Sequence, residues 1–423
     1  MSNFQIILIA VFIAFVIFGV MIFSGFIPIG QGGATQISGQ ITVWGTIPTR
    51  DINEFIGNFK SVNRNIAVNY VAKSAANFDE ELVAALAAGT GPDVFLLDSD
   101  FVFKNRDKIF EIPYLNFPIK TYKDNFISAS EIYLTNTGVL ALPLYVDPIV
   151  MYYNRTLFNN AGIPRPPTAW DEFPNLAPQL TSRSNNRIIK SAVGMGGSGN
   201  IEHAKEIISA LVLQAGNPIV RREEDTFEAV LSSSAVSNAL SFYTSFANPA
   251  TDSYSWNESL PNSRNAFITG DLAIYFGTAS DLFRIRDSNP NLDFDIVDMP
   301  QLPAANRATF GRVYGLAVAK NSKNIPAALT FVYAFSGADY AGNIANALSL
   351  PPARRDLLAA RPTGSYLPIF YSSALQAKNW FDPDPKRTKE IFKTMIADVV
   401  AGRTDAEDAV DDTSTDIGVL LNK

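Results

Sequence analysis

The chain has 423 residues, of which 47% are hydrophobic and 18% are charged, and its formal net charge is −7. This length predicts two domains or one large domain with insertions, and the composition is typical of a folded globular protein rather than a disordered one. The acidic balance argues against a nucleic-acid-binding surface, and the absence of cysteine excludes disulfides, thiolate metal sites and a lipid-modified cysteine.

The N-terminal segment is apolar enough to be a membrane helix. Residues 4–26 form a long, predominantly apolar run, and no charged side chain precedes Arg50. A run of this length spans a bilayer, so we predict one transmembrane helix within an anchor of residues 1–28. A cleaved signal peptide is the alternative, because small residues at 32–34 offer a cleavage position. The run is longer than the usual signal core and lacks a basic start, which favours a retained anchor.

The anchor also predicts where the body of the protein lies. No basic cluster downstream of the apolar run holds that side in the cytoplasm. We therefore expect a single-pass protein of the cell membrane whose body faces the extracytoplasmic side. Residues 29–39, rich in Gly, Ser, Thr and Gln, are expected to form a flexible tether between the anchor and the body.

Strands and helices alternate at the start of the body. The predicted elements are strand 40–45, helix 51–59, strand 66–72, helix 78–88 and strand 94–97. Such alternation is typical of a parallel sheet with helices on both faces. Ligands of such sheets bind beyond the carboxyl ends of the strands, which here are residues 45–48 and 98–101.

The central stretch GVLALPLYVDPIVMYYNRTLFNNAGIPRPPTAWDEF carries the clearest local signals. Its apolar, β-branched and aromatic residues predict strands at 139–144 and 149–153. Pro148 is expected to separate the two strands. Tyr145 and Asp147 then lie on the connection, where both side chains can face a cleft.

Helix signals follow these strands. Asn154 is a predicted N-cap for a helix at 155–161, and Gly162 is suited to its left-handed C-terminal cap. Thr168 is predicted to cap the next helix, with Asp171 completing a capping box.

A second α/β unit is predicted after residue 187. Its elements are strand 188–193, helix 201–214, helix 236–246, strand 272–276, strand 294–297, strand 313–319, helix 326–335, helix 356–360, helix 386–401 and helix 405–421. The loop 194–200 fits the dinucleotide pattern G-x-G-x-x-G, but no acidic residue closes a following strand at the usual distance. We therefore interpret it as a cleft loop in which Asn200 caps the next helix.

Groups that catalysis needs are sparse. The one histidine, His203, lies on a predicted helix, where a lone histidine is more often a packing or surface residue than a triad base or metal ligand. The sequence has no Walker loop, no H-E-x-x-H and no G-x-S-x-G motif. We predict a protein that is not an enzyme and that has no catalytic residue, no cofactor and no metal.

Seven segments follow one another in the order of a known family. They are ITVWG, LVAALAAGTGPDVFLLD, LPLYVDPIVMYYNRTLFNNAGIPRPPTAWDEF, LVLQAGNPIV, AFITGDLAIYFG, GLAVAKNSKNIPAALTFVYAF and LPPARRDLL. Together they resemble the extracellular solute-binding proteins of family 1, the sugar-type, maltose-binding-like receptors that serve ABC importers. The resemblance covers residues 41–421 and implies a type II periplasmic-binding-protein-like fold, in which two α/β lobes close on a solute by hinge motion.

The resemblance also implies how the chain divides. In this family the chain passes back and forth between the lobes, so each lobe is discontinuous. The first lobe is expected to hold residues 40–142 and 302–350, and the second lobe residues 143–301 and 351–423. The central stretch then falls at the first crossing, where residues 145–148 are expected to serve both as hinge and as ligand contact.

Acidic residues near the crossing are candidate ligand contacts by the same resemblance. In sugar-binding relatives the residue at the Asp147 position commonly accepts hydrogen bonds from sugar hydroxyls. Asp98 and Asp100 match another acidic cleft position, and the sequence leaves open which of the two faces the cleft. Thr46 and Pro48 lie in the loop after the first strand, which usually approaches the ligand.

Aromatic side chains are the second expected component, because their faces pack on the apolar sides of sugar rings. Relatives often carry a tryptophan after the strand at 272–276, but this chain has the sequence GTAS at 277–280. Tyr275 or Phe276 is the candidate substitute. The remaining aromatic candidates are Tyr145, Tyr314 and Trp380.

The expected function is capture of a small solute, a sugar or oligosaccharide, for delivery to the permease subunits of an ABC importer. The expected partners are thus the carbohydrate, the permease and the membrane, without nucleic acid. Two alternatives stay open. One is a sensory solute-binding module without transport, and the other is an anchored carbohydrate-active hydrolase that would use Asp98 or Asp100 together with Asp147.

Overall fold

The computed structural model describes residues 37–185, 187–303, 307–360 and 362–422. The predicted anchor, residues 1–28, lies outside these ranges, as does the tether up to residue 36. Within the described ranges, no helix is both long and apolar enough to cross a bilayer. The anchor and its alternative, a cleaved signal, therefore stay predictions.

The body consists of strands and helices in alternation. The strands are β1 Gly39–Gly45, β2 Ile66–Ala72, β3 Val94–Asp98, β4 Ile112–Pro113, β5 Gly138–Val139, β6 Leu142–Asn154, β7 Ser182–Ser184, β8 Arg187–Val193, β9 Val220–Glu223, β10 Thr226–Ala229, β11 Leu272–Thr278, β12 Phe294–Val297, β13 Thr309–Val318 and β14 Ala377–Lys378. Short 3-10 helices lie at Ser99–Phe101, Arg106–Lys108, Ser128–Tyr133 and Trp170–Glu172.

The α-helices are numbered in the same way. They are α1 Thr49–Val62, α2 Phe78–Ala87, α3 Val102–Asn105, α4 Ile119–Asn125, α5 Arg155–Asn160, α6 Phe173–Leu180, α7 Ala204–Gln214, α8 Ser234–Ser245, α9 Ser263–Ile268, α10 Asp281–Ser288, α11 Ile325–Phe335, α12 Ala338–Leu348, α13 Arg355–Leu358, α14 Leu367–Leu375, α15 Pro385–Val400 and α16 Ala406–Leu421.

One large sheet runs through both halves of the body. Its strand order is β2-β1-β3-β13-β6-β11-β8-β7, with β12 also paired to β6 and β14 to β13. On either side of the centre strands pair in parallel, β1 with β2 and β3, and β11 with β8, whereas the edge strand β7 is antiparallel to β8. In the centre, β6 and β13 are antiparallel to each other and to their neighbours β11 and β3.

These pairings divide the sheet into two α/β lobes. We call the part built on β1, β2 and β3 the first lobe, the part built on β8 and β11 the second lobe, and β6 and β13 the crossing strands. This two-lobed α/β fold confirms the predicted fold class of the body, whereas the residue boundaries between the lobes stay predictions.

Hydrophobic burial explains how the first lobe forms. The side chains of β3 are buried from Val94 to Leu97, as expected for a strand covered on both faces. Helix α1 buries Ile52, Ile56 and Phe59, whose spacing puts them on one helix face, and the Phe59 ring meets the Phe331 ring edge-on at 5.2 Å.

The first crossing strand differs from the sequence prediction. Instead of two strands separated by Pro148, β6 is one strand that pairs with β13 as far as Pro148 and with β11 from Ile149 onwards. Pro148 has no N–H to offer a ladder, and it lies where the strand changes its neighbour, so the strand continues through it. The prediction that Tyr145 and Asp147 lie on a connection was wrong, because both lie within this strand.

The helix caps were predicted in part. The Asn154 side chain caps α5 by accepting the N–H of Leu157 at 3.0 Å, which confirms that prediction. The predicted box of Thr168 and Asp171 is wrong by one position. It is the Glu172 carboxylate that accepts the backbone N–H groups of Thr168, at 2.8 Å, and Ala169, at 3.1 Å.

The hydrogen bonds of the glycine-rich loop 194–200 differ from the prediction. Asn200 does not cap the next helix, since its carbonyl accepts the Trp256 indole N–H at 2.8 Å and its amide donates to the Asn257 carbonyl at 2.9 Å. Helix α7 starts later than predicted, after His203, which has a left-handed backbone with φ of 62°.

Candidate functional site

A cavity of about 190 Å³ lies where the first lobe meets the crossing strands. The ends of two first-lobe strands, both crossing strands and the residue preceding α10 of the second lobe all reach it. Its polar and aromatic lining residues are Thr46, Phe78, Asp79, Asp98, Phe101, Asn105, Tyr145, Asp147, Ser280 and Tyr314. The cavity therefore lies beyond the carboxyl ends of parallel strands, where ligands of such sheets bind.

Strand pairing brings several predicted site residues together. Asp98, at the end of β3, lies opposite Tyr314 of β13, and Tyr314 lies opposite Tyr145 of β6. Thr46 follows β1 and lines the same cavity, as does Asp147, two residues beyond Tyr145. Residues far apart in the sequence thus meet in one cavity because four neighbouring strands, β1, β3, β13 and β6, carry them or lead into them.

Two tyrosines lie side by side in the lining, which also contains Phe78 and Phe101. The Tyr145 and Tyr314 rings stack with their centroids 4.8 Å apart and their planes 17° apart. Burial raises the pKa of both phenols, so both stay neutral at physiological pH. Neutral aromatic rings with hydroxyl groups can pack against a sugar ring and also form hydrogen bonds.

Asp98 is a carboxylate with an unusual environment. Its Oδ1 accepts the backbone N–H of Asp100 at 3.0 Å, and the Tyr314 hydroxyl is a polar neighbour that favours the ionised form and lowers the pKa. Burial, followed by the charge of Asp100, raises the pKa of Asp98 to about 7, against the partial opposition of Arg312. At neutral pH this carboxyl group is therefore protonated in a substantial fraction of the molecules.

Asp147 connects the crossing strand to the second lobe. Its Oδ1 accepts the backbone N–H of Ser280 at 3.0 Å, and its Oδ2 accepts the Ser280 hydroxyl at 2.6 Å. The side chain is 7% exposed, and burial raises its pKa above the ordinary value of 3.8. Each oxygen retains a lone pair, so Asp147 can bind Ser280 and a ligand donor at once.

Asp100 has a different role from Asp98. It does not line the cavity and instead accepts a hydrogen bond from Arg312 Nε at 2.9 Å. The same guanidinium donates to Glu206 Oε1 of α7 at 2.5 Å, so Arg312 links the two lobes. Of the two carboxylates that the sequence left open, Asp98 is the one at the cavity.

Four other predicted contacts lie elsewhere. The Tyr275 hydroxyl donates to Asp281 at 2.7 Å within the core, and the Phe276 ring packs on Trp170 at 5.4 Å. Trp380 is buried, with its indole N–H 3.3 Å from the Ser209 hydroxyl. Pro48 is exposed and precedes α1. Strand β11 is buried along its whole length, which is why its aromatic side chains serve packing rather than the cavity.

Three polar lining residues were missed by sequence reasoning. Asp79 and Asn105 come from α2 and α3, and the Asn105 amide donates to Asp79 Oδ1 at 2.8 Å. The Asn105 carbonyl oxygen is buried and has no hydrogen-bond partner among the described residues. Ser280 is the third. Its place directly after the GTA segment at the end of β11 was the available signal, since strand ends form the cleft.

The lone histidine belongs to a buried charge cluster of the second lobe. His203 Nε2 lies 3.0 Å from Asp281 Oδ2, and Arg264 donates to Asp281 Oδ1 at 2.9 Å. Burial favours the neutral imidazole, but Asp281 raises the pKa of His203 above its ordinary value. Across the part of the chain that the structure describes, no group of three or more His, Asp or Glu side chains is arranged to hold a metal ion.

Comparison with known sequences identifies related proteins. Residues 46–342 match the sequence model of the family described as bacterial extracellular solute-binding protein. A curated relative described as a binding protein of Brucella abortus (strain 2308) is 24% identical over 276 residues. That alignment spans 63% of this chain and 63% of the relative's length.

Solved structures share the fold. An ABC transporter solute-binding protein from Thermotoga lettingae TMO, bound with alpha-D-tagatose, is 20% identical with a TM-score of 0.69, covering 91% of this chain and 100% of that one. The cyclic alpha-maltosyl-1,6-maltose-binding protein from Arthrobacter globiformis is 17% identical with a TM-score of 0.76, covering 91% and 99%. Since the family model matches more than half of the sequence, the chain belongs to the bacterial extracellular solute-binding protein family.

Proposed function

We propose that the protein captures a sugar or oligosaccharide in the cavity between its lobes and delivers it to the permease of an ABC importer. The N-terminal segment would hold the body at the outer face of the cell membrane, near that permease. Membership of the family supports an extracytoplasmic binding protein rather than an enzyme. The similar structures named above hold or bind carbohydrates, which supports this class of solute.

The observation that carries this proposal is the composition of the cavity. Stacked tyrosines, carboxylates and hydroxyl groups converge there from both lobes and both crossing strands. This is the combination that sugar recognition needs, because ring faces pack on aromatic rings while hydroxyls require hydrogen-bond partners.

Hydrogen bonds and ion pairs between the lobes would stabilise a closed arrangement. Asp147 accepts two hydrogen bonds from Ser280, Arg312 reaches Glu206, and Lys386 of α15 forms an ion pair with Glu80 of α2. A solute that binds lining residues of both lobes stabilises the closed arrangement over an open one. Only this difference in affinity can shift the equilibrium and give the permease a distinct surface to recognise.

The size of the cavity indicates how much solute it encloses. Its volume of about 190 Å³ is smaller than the roughly 300–1,000 Å³ of typical drug-sized ligand sites. In this arrangement the cavity would enclose a compact sugar unit, and a longer oligosaccharide would require the lobes to move apart.

Isothermal titration calorimetry of the full chain in detergent, against a panel of mono- and oligosaccharides, tests the proposal. Saturable binding is expected, with the sugar recovered unchanged by chromatography after incubation. Recovery of a cleaved product would instead identify the hydrolase alternative. Absence of binding across the panel would refute carbohydrate capture.

A further inference from the structure

The cavity has an excess of hydrogen-bond acceptors. The Ser280 hydroxyl donates to Asp147 at 2.6 Å, and the hydroxyls of Tyr145 and Tyr314 have Thr46 and Asp98 as polar neighbours within the protein. The remaining capacity lies on the carboxylates and on one amide oxygen. A solute for this cavity must therefore bring donors rather than acceptors.

Asn105 gives independent evidence for a donor on the solute. The residue is 1% exposed, its side chain lines the cavity, and its carbonyl oxygen is unpartnered within the described residues. Its amide is already committed to Asp79. A buried carbonyl without a partner is unfavourable, so this oxygen is suited to a donor from a bound molecule.

The lining of the cavity has acidic side chains and no basic ones among the described residues. No lysine, arginine or histidine belongs to its lining among the described residues, and within those residues neither Asp98 nor Asp147 forms an ion pair. The charge of Arg312 lowers the pKa of both carboxylates, but its guanidinium forms its ion pairs with Asp100 and Glu206. Buried carboxylates without a counter-ion are costly, and a cation on the solute would supply the missing charge.

The aromatic pair completes the requirement. The Tyr145 and Tyr314 rings can pack on the apolar side of a sugar ring, and aromatic faces also attract cations. A protonated amine offers three donors and no acceptor, which matches the free acceptors better than a hydroxyl group does. The small volume limits the enclosed part to a compact group.

We propose that the solute held in this cavity is an amino sugar, whose ammonium group binds Asp98, Asp147 and the Asn105 carbonyl. The proposal rests on the proposed function and specifies the class of sugar. A neutral sugar would leave both carboxylates without a counter-ion, and a simple alkyl diamine would leave the tyrosine pair without a ring to pack on.

Calorimetry of the full chain with matched sugars tests the proposal. D-glucosamine is compared with D-glucose and N-acetyl-D-glucosamine, and D-galactosamine with D-galactose and its N-acetyl derivative, at pH 7. An amine is expected to bind on the order of tenfold more tightly than its neutral counterparts, which is the scale of one charge-assisted hydrogen bond.

Each other result overturns the inference in a recognisable way. Equal or tighter binding of neutral monosaccharides, or binding of maltotetraose alone, would refute the amino sugar while leaving carbohydrate capture intact. Binding of putrescine without any sugar, or of nothing in the panel, would refute both proposals.

Variants test the assigned groups. In Asp98→Asn the ratio of amine to neutral affinity is expected to fall towards one, because the variant keeps the shape of the side chain and loses its charge. Asp107→Asn is the matched control, since this side chain is 72% exposed and lies outside the cavity lining, and its ratio should equal that of the wild type. An unchanged ratio in a folded Asp98→Asn protein overturns the assignment of Asp98. If that variant does not fold, the wild-type ratio alone decides.

Discussion

Replacing Arg312 by methionine is expected to lower the free energy of unfolding by about 3 kcal/mol. The guanidinium of Arg312 donates to Asp100 at 2.9 Å in the first lobe and to Glu206 at 2.5 Å in the second. Asp100 is 4% exposed and Glu206 is 8% exposed. The substitution leaves two buried carboxylates without the cation that they share.

The same magnitude follows from the typical cost of a broken buried ion pair and from the lowered pKa of Glu206. Removal of one partner from a buried ion pair typically costs about 3–5 kcal/mol. Burial opposes ionisation of Glu206, but Arg312, followed by His203 and Lys205, lowers its pKa from 4.5 to about 2. A pKa difference of about 2.5 corresponds to about 3 kcal/mol, and Arg312 is the largest favourable contributor.

Urea denaturation of the two proteins, followed by tryptophan fluorescence, measures the difference. Arg50→Met is the control, because this side chain is 85% exposed, and its effect should stay within about 0.5 kcal/mol.

The pH dependence gives a second test of the same substitution. Because the pKa of Glu206 is lower in the folded protein, its contribution is complete above about pH 4.5 and is lost as the pH falls towards 2. The difference between wild type and Arg312→Met should therefore shrink below pH 4.5. A loss below about 1 kcal/mol at pH 7, or a difference independent of pH, would refute this account.

Three further predictions concern the solute. Asp147→Asn should weaken sugar binding by about tenfold in calorimetry. It should lower the free energy of unfolding by only about 1 kcal/mol, since asparagine still accepts one hydrogen bond from Ser280 of the second lobe. Unchanged affinity would remove Asp147 from the site. Glucosamine affinity should fall about tenfold per pH unit below 7, because Asp98, faced by Asp100, Arg312 and Tyr314, holds a proton that the ammonium must displace; a flat profile from pH 5 to 7 would contradict this. Small-angle scattering should show compaction on saturation with a bound sugar, and an unchanged radius of gyration would argue against lobe closure.

Much of the fold could be predicted because its local signals agree with its tertiary structure. The buried run VFLLD becomes β3, and the predicted helix at 326–335 becomes α11 with a shift of one residue at its start. The continuity of β6 through Pro148 could not be predicted, since this proline lies where the strand changes neighbours, and pairing partners are not visible locally. Helices α12 and α14 were not predicted at all.

Local sequence rules account for the part of the candidate site that strand ends carry, whereas Tyr145, Asp147 and Tyr314, which lie within the crossing strands, were predicted from the family resemblance and the aromatic composition. Asp98 and Thr46 follow from the rule that ligands bind beyond such ends, and both line the cavity. Tyr275 and Phe276 show the limit of this reasoning, because the direction of a side chain depends on which face of the sheet another layer covers. Asn105 was invisible, since an unpartnered carbonyl is a property of packing.

Pro148 has a mechanical consequence for the crossing strand. Strand β6 is hydrogen-bonded into both parts of the sheet, so its ability to bend depends on the backbone between the two ladders. The ladder with β13 ends at Pro148, and the ladder with β11 begins at Ile149. A bend at Pro148 breaks no hydrogen bond donated by its backbone nitrogen, because proline has no N–H. The carbonyl of Pro148 accepts the Ala279 N–H at 2.9 Å. The change of pairing partner thus falls one residue beyond Asp147, so a bend of the backbone at this place would reorient that carboxylate.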